Sequence, residues 1–236
     1  MTLERRDVAG LVVAFVVAAG CARLGVWQLN RLGQRRAHNA VLLAARTRPP
    51  VAVSGSLDAD SARDRRLLAR GRYDYARERL WRPRSYEGLP GVDLVTPLRL
   101  SDGAAVLVDR GWAPSPDAYH VDQPAYREGD SAVVLGLGMR APRARGDVDP
   151  VALQDSVPYP LLPFVIQQMP PPATPYRPRP PGLIRWPAPE LSDGPHLSYA
   201  IQWFSFALII VVGSLALLRH RGAEHRKPPI GGSGYH

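Results

Sequence analysis

The side chains best suited to chemistry stand at the head of a long apolar run near the end of the chain. His196, Tyr199 and Trp203 follow at i, i+3 and i+7, which places an imidazole, a phenol and an indole on one helix face. Gln202 lies in the same turns. Polar groups at membrane depth indicate a functional site, and a neutral imidazole can ligate haem iron. An aromatic belt with a histidine that caps the helix is the structural alternative.

A second pair of candidates lies at the end of the first apolar run. Trp27 and Gln28 are separated from the other group by most of the chain, but both groups flank an apolar run on the side of the central region. We therefore expect Trp27 and Gln28 at the same depth as His196.

The remaining sequence offers little for catalysis. Between the two apolar runs, His38 and His120 are the only histidines apart from His196, and no nucleophile, phosphate-loop or zinc-protease motif is present. Copper delivery is not predicted, because Cys21, Met139 and Met169 form no cluster of soft ligands. The single cysteine also excludes an internal disulfide. We predict no catalytic residue and no enzyme.

Residues 197–218 are 22 residues without a charge, enough to cross a hydrocarbon layer of about 30 Å. The tail at residues 219–236 begins with a basic cluster, so the positive-inside rule predicts that this tail is cytoplasmic. The expected location is the cell membrane, with the central region outside the cytoplasm.

The first apolar run supports two interpretations. Residues 8–29 can form a tilted transmembrane helix if Arg23 extends to the interface, with residues 1–7 in the cytoplasm. Alternatively, the apolar segment that ends at Cys21 weakly resembles a lipoprotein signal. We favour the uncleaved anchor.

Residues 30–196 are long enough for one domain, and their pattern predicts a β-rich α+β fold. A short helix is expected at residues 35–46, and Asp102-Gly103 is expected to close a hairpin. Strands are predicted at residues 51–55, 65–75, 78–84, 92–100, 104–112, 131–141 and 162–168. Residues 158–189 contain 12 of the 25 prolines, which predicts a stiff connector, and Ser192 or Asp193 could cap the helix that follows.

The formal charge of +9 does not predict a nucleic-acid partner. Residues 30–196 contain 23 arginines and 18 acids in a mixed order, and no nucleic-acid-binding motif accompanies them. Such a pattern is typical of a solvated surface.

Four motifs carry a resemblance to a known family. LGVWQLNR (24–31), RPRSYEGLPGVDLVTPL (82–98), VLVDRGW (106–112) and HLSYAIQWF (196–204) resemble the surfeit locus proteins, assembly factors of cytochrome c oxidase. The resemblance implies two transmembrane helices that flank a periplasmic β-rich domain. It also implies help in placing haem a into oxidase subunit I, with subunit I, the bilayer and haem a synthase as expected partners.

The resemblance also implies roles for single residues. His196 matches the histidine associated with haem, so we expect it to ligate the iron, with Tyr199 and Trp203 against the macrocycle. Arg110 is a candidate partner for a propionate, although a strand-end arginine also pairs commonly with an acid such as Asp109 or Asp93. Gly111 should lie where the backbone bends or a side chain does not fit. The alternatives are an anchored or lipidated periplasmic enzyme, or an oxidase scaffold without haem.

Overall fold

The computed structural model describes residues 5–140, 148–171 and 182–224, with side chains of the last helix described through residue 220. The chain divides into two compact units. The helical unit comprises Met1–Ala40 and Leu191–His236, and the β domain comprises Val41–Glu190. The predicted division into two apolar helices and a β-rich domain is confirmed.

The first helix, α1, runs without a break over Arg5–Thr47. The predicted span at residues 8–29 and the predicted short helix at residues 35–46 are therefore parts of one element. No proline interrupts the intervening residues, which include good helix formers. The helix ends directly before Pro49 and Pro50, as expected, because proline disfavours helical backbone at the residue before it.

The second long helix, α4, spans His196–Glu224 and packs antiparallel against α1. The α1 residues buried in this seam repeat at intervals of three and four: Ala18, Cys21, Gly25, Gln28 and Leu32. A Cβ atom at Gly25 would lie 2.8 Å from the ring of Phe204, so the absence of a side chain permits the close approach.

Both α1 and α4 are long and apolar enough to cross a membrane. The most apolar 18-residue window of α4 has no buried residue, and that of α1 is only 17% buried. A core helix of a globular domain would bury its apolar side chains. These exposed windows are consistent with the predicted spans.

Among its described residues the β domain contains seven strands, and each predicted strand is present with boundaries shifted by a few residues. They are β1 (Val51–Ala52), β2 (Arg66–Tyr73), β3 (Arg79–Tyr86), β4 (Leu89–Leu100), β5 (Ala105–Pro114), β6 (Ser131–Arg140) and β7 (Leu161–Gln168). Short helical turns connect some of them: α2 (Ala59–Ala62), α3 (Pro150–Leu153) and 3-10 turns at Tyr75–Arg77, Gln123–Tyr126 and Gln154–Ser156.

The strands form one sheet in the order β1-β2-β6-β7-β5-β4-β3, and a further pairing of β2 with β4 closes five of them into a barrel. Alternate side chains point inward and fill the barrel, which removes the open edges of those strands. The fully buried interior residues include Leu67, Ala69, Leu98, Val106, Val108, Val134 and Ile166.

The proline-rich stretch is only partly the connector that the sequence predicts. Strand β7 occupies a central position between β5 and β6, although Pro163 lies within it. The exposed Pro163 falls where the register between β5 and β7 shifts, so its missing N–H interrupts no regular ladder. Residues 172–181 of this stretch lie outside the described part of the chain.

The two glycine predictions in β4–β5 are confirmed. Gly103 closes the hairpin with a φ of +90°. Gly111 has a φ of +122°, and a Cβ there would overlap the carbonyl oxygen of Ile184. The backbones of Trp112 and Ile184 exchange two N–H···O bonds of 2.8 Å at this point. Gly111 therefore allows residues 183–187 to lie directly against β5.

Candidate functional site

A hydrogen bond across the helical unit holds His196. Its Nδ1 lies 2.9 Å from Oε1 of Gln28, which is buried in the seam of α1. Because an amide oxygen can only accept, a hydrogen bond at this contact is donated by Nδ1. In the neutral tautomer with that donor, Nε2 carries the lone pair, and no hydrogen bond from another described side chain occupies it. The structure thus brings together two of the predicted site residues and leaves one imidazole nitrogen without a described hydrogen-bond partner.

The other predicted residues of α4 are less closely associated with His196. Trp203 is half-buried, on the same side of the helix as His196, with its ring 5.9 Å from that of Phe206. Tyr199 is 45% exposed, and Gln202 is exposed too. Trp203 therefore shares a face of α4 with His196, as predicted. Tyr199 lies at the edge of that face, and Gln202 points away from the seam.

Trp27 precedes Gln28 but does not share its environment. Its side chain is 51% exposed, and one residue of helical rotation turns it away from the buried seam. The exposed aromatic rings near His196 therefore face away from the seam between α1 and α4. Any flat ligand on Nε2 would lie on the surface of the helical unit rather than in an enclosed cavity.

The turn before α4 is attached to α1 by several polar contacts. Arg36 forms a 2.9 Å ion pair with Asp193, and Asn39 donates to the carbonyl oxygen of Ser192 at 3.0 Å. Ser192 and Asp193, the predicted caps, make these contacts with α1 instead. The first turn of α4 begins with a bond from the amide of Tyr199 to the carbonyl oxygen of Pro195. These contacts hold the start of α4, and so His196, beside α1.

Arg110 lies in the β domain, where two carboxylates already pair with its guanidinium. It is fully buried, and Nη1 donates to Glu78 at 2.8 Å while Nη2 donates to Glu128 at 3.1 Å. Among the described residues, its Nε has no hydrogen-bond partner. Burial lowers its pKa, but the carboxylates of Glu128 and Glu78 offset this and the net shift is upward. The sequence predicted a propionate partner or a pair with Asp109 or Asp93. The observed partners are other acids, and we leave Arg110 out of the candidate site.

Two tyrosine rings and a network of charged side chains surround Arg110. Its guanidinium carbon lies 5.3 Å from the ring centre of Tyr73 and 5.1 Å from that of Tyr75. Glu128 also accepts two bonds from Arg185, at 2.5 and 2.6 Å. A buried arginine requires such partners, since an unpaired charge is costly in the interior. No local motif relates these acids to Arg110, so they could not be identified from sequence patterns.

A pair of buried carboxyl groups forms a second cluster that sequence reasoning missed. Asp93 accepts from Arg84 Nε at 2.5 Å and from the indole of Trp186 at 2.9 Å. Asp109 is buried and, within the part of the chain that the structure describes, accepts one hydrogen bond, from the amide of Gly111 at 3.0 Å. Burial raises the pKa of both, and the nearby Asp93 raises that of Asp109 further.

We expect Asp109→Asn to stabilise the β domain at pH 8 but not at pH 3. The raised pKa means that wild-type stability falls as pH rises above the usual aspartate value of about 4, toward the folded-state pKa. Asparagine keeps the acceptor for Gly111 and removes this loss. Urea unfolding at both pH values measures the difference, and an equal effect at pH 3 and pH 8 would contradict it.

Asp102→Asn is the matched control, because the pKa of Asp102 is lowered whereas that of Asp109 is raised. Asp102 accepts from the amide of Gly55 at 2.6 Å, and this bond lowers its pKa. Its stabilising contribution is present above pH 4 and is lost in acid. The asparagine variant should therefore be less stable than wild type at pH 8.

The described residues contain no group of three or more His, Cys, Asp and Glu side chains that could hold a metal ion. A haem needs only one or two axial ligands from the protein, and a neutral imidazole is a common one. His196, with Nδ1 bonded to Gln28 and Nε2 available, fits that requirement.

Comparison with known proteins extends over nearly the whole chain. The model of the SURF1 family matches residues 15–208. Uncharacterised SURF1-like proteins of Mycobacterium bovis and of two strains of Mycobacterium tuberculosis are each 29% identical over 246 residues. These alignments cover 93% of this chain and 86% of each relative.

The family match includes both residues of the His196–Gln28 contact, the barrel, most of α1 and the part of α4 up to residue 208. The family resemblance inferred from the four motifs is thereby confirmed. This chain belongs to the SURF1 family.

Proposed function

We propose that this chain is an assembly factor for cytochrome c oxidase that holds haem a at the head of α4 for insertion into subunit I. Family membership supports the assembly role, and the His196–Gln28 contact supports the haem step. Haem a synthase is the partner that would supply the cofactor. The chain itself would perform no catalysis.

The single observation that carries the haem step is the orientation of the imidazole. Gln28 accepts from Nδ1 at 2.9 Å and so directs Nε2 away from the seam. Such outer contacts fix the tautomer of ligating histidines and raise their basicity. Haem iron would supply a coordination position for this nitrogen. Ligation through one surface histidine leaves the cofactor accessible, as a transfer protein requires.

The aromatic side chains near His196 would contact the macrocycle. Tyr199 and Trp203 lie within two turns of His196, and Trp27 adds an exposed ring beside Gln28. Indole and phenol rings favour the boundary between apolar and aqueous layers. They can pack on a flat amphiphilic ligand there, while Gln202 faces the surroundings.

We further propose that α1 and α4 anchor the protein in the cell membrane with the β domain outside the cytoplasm. The basic residues after the apolar part of α4 support this orientation. Cys21 is buried within continuous helix and lies in the seam with α4. An uncleaved anchor keeps that packing, whereas the lipoprotein alternative would remove the helix before Cys21.

Deletion of the gene should remove most of the a-type haem absorbance from membranes while the oxidase subunits are still synthesised. A complementing copy with Cys21→Ala and Ser101→Cys should restore the absorbance and react with an impermeant thiol reagent in intact cells. Ser101 is chosen because it is exposed at the β4–β5 turn. Normal haem in the deletion strain would contradict the assembly role, and protection of position 101 would contradict the orientation.

A further inference from the structure

One face of α1 carries two polar side chains, Arg23 and Asn30, that the haem step of the proposed function does not use. Together with Trp27 they follow at i, i+4 and i+7, so the three residues share a side of the helix. Together with Leu24 and Val26 they line an open cleft of about 410 Å³. All five residues belong to the helical unit.

This face is directed away from α4. At about 100° per residue, the mean direction of Arg23, Trp27 and Asn30 lies roughly 170° from that of the buried seam. Trp27 is 51% exposed, and Arg23 and Asn30 are exposed as well. The cleft therefore opens to the surroundings of the helical unit.

The side chains of the cleft offer hydrogen-bond donors without internal partners. In the part of the chain that the structure describes, Arg23, Trp27 and Asn30 make no side-chain hydrogen bond or ion pair. Arginine provides five N–H donors, tryptophan one and the asparagine amide two, and the first carries a permanent positive charge. This donor set is complementary to an anion with several oxygen atoms, such as a phosphodiester.

The position along α1 limits where such an anion can come from. Arg23 lies 15 residues after Val8, about 22 Å along the helix axis, whereas the hydrocarbon layer is about 30 Å thick. Trp27 follows near the boundary. A guanidinium at that depth is costly unless its side chain extends to the interface and meets an anion. Lipid phosphates are the most abundant anions at the interface.

We propose that the cleft at Arg23, Trp27 and Asn30 binds the phosphate of an anionic phospholipid on the side of the membrane that faces the β domain. This inference rests on the membrane insertion in the proposed function but not on haem binding. A carboxylate on a transmembrane helix of a partner protein is the competing occupant, and the experiment separates the two.

The test uses the full-length protein purified in detergent and reconstituted in vesicles of phosphatidylcholine with phosphatidylglycerol. After extraction and delipidation, native mass spectrometry counts the phospholipids that stay bound. Wild type should retain phosphatidylglycerol in preference to phosphatidylcholine. Arg23→Gln should lower that retention about fivefold.

Arg70→Gln is the matched control, because Arg70 is exposed on β2 and its loss changes the net charge equally. It should retain lipid as wild type does. Equal retention by Arg23→Gln and wild type, or no preference for the anionic lipid, would overturn the proposal. Unchanged retention with lost co-purification of oxidase subunits would assign the cleft to a protein carboxylate instead.

Failure of the underlying anchor has a different signature. A chain that carbonate releases from membranes is not inserted, which would contradict the proposed function before any lipid is counted. An inserted chain without selective lipid retention would contradict the lipid site alone.

Discussion

Replacement of His196 by alanine is expected to remove at least nine-tenths of the haem that co-purifies with the protein, since a lost ligand together with a lost orientation costs about tenfold or more in affinity. The physical reason is the geometry of the pair, in which Gln28 holds Nδ1 and leaves Nε2 for the iron. The measurement is haem per protein, with the Soret band, for protein from cells that make haem a.

His120→Ala is the control for a general effect of removing a histidine. Its ring is 84% exposed and pairs with Asp117 at 2.5 Å in the β domain. Haem content should not change. Added imidazole should partly restore the Soret band of His196→Ala, because it can replace the missing ligand.

Gln28→Ala is a second variant, which keeps the imidazole and removes only its hydrogen-bond acceptor. Without the acceptor, the imidazole loses its fixed tautomer and orientation, and haem affinity should fall by about 10- to 100-fold. Equal haem in wild type and His196→Ala would leave His196 as a residue that only holds the start of α4. Unchanged affinity in Gln28→Ala would remove the tautomer argument.

Gly111→Glu is expected to prevent accumulation of folded protein. The φ of +122° strains any side chain, a Cβ overlaps the carbonyl of Ile184, and the carboxylate would be buried without a partner. Together these effects should cost about 4 kcal/mol or more, a large part of the stability of an ordinary domain. The level of soluble or membrane-extracted protein and its thermal unfolding measure this loss.

Gly129 supplies the comparison that separates strain from overlap. Its φ is +111°, close to that of Gly111, but no heavy atom lies within 4 Å of a Cβ there. Gly129→Ala should therefore cost only the backbone strain, about 1–2 kcal/mol. Gly111→Ala should cost distinctly more. Equal costs would contradict the role assigned to Ile184, and normal protein with lost oxidase would give Gly111 a functional role instead.

The two apolar spans and the seven strands of the described residues could be predicted from local sequence patterns, whereas the unbroken continuation of α1 to Thr47 was not predicted. A long uncharged apolar run such as residues 197–218 is typical of a helix that spans a membrane. Short runs of alternating polarity bounded by Gly and Pro are typical of β-strands. A backbone bend or a close approach at Gly111 was also predicted from its motif, and the φ of +122° and the overlap with Ile184 confirm it. These features depend on neighbours in sequence, where periodicity is informative.

The central position of β7 could not be predicted in the same way. Twelve prolines between residues 158 and 189 favour a connector, and Pro163 argues against a central strand. The register shift between β5 and β7 accommodates that proline. Such a shift depends on how three strands pair across the barrel.

The partners of the buried charged groups were decided by tertiary structure alone. Glu78 and Glu128 lie 32 and 18 residues from Arg110, and Gln28 lies 168 residues from His196. Sequence spacing identified His196 as a candidate ligand, but only the antiparallel packing of α1 and α4 determines which imidazole nitrogen is held. Contacts of this kind depend on helix packing and barrel closure, which bring together side chains that no local periodicity relates.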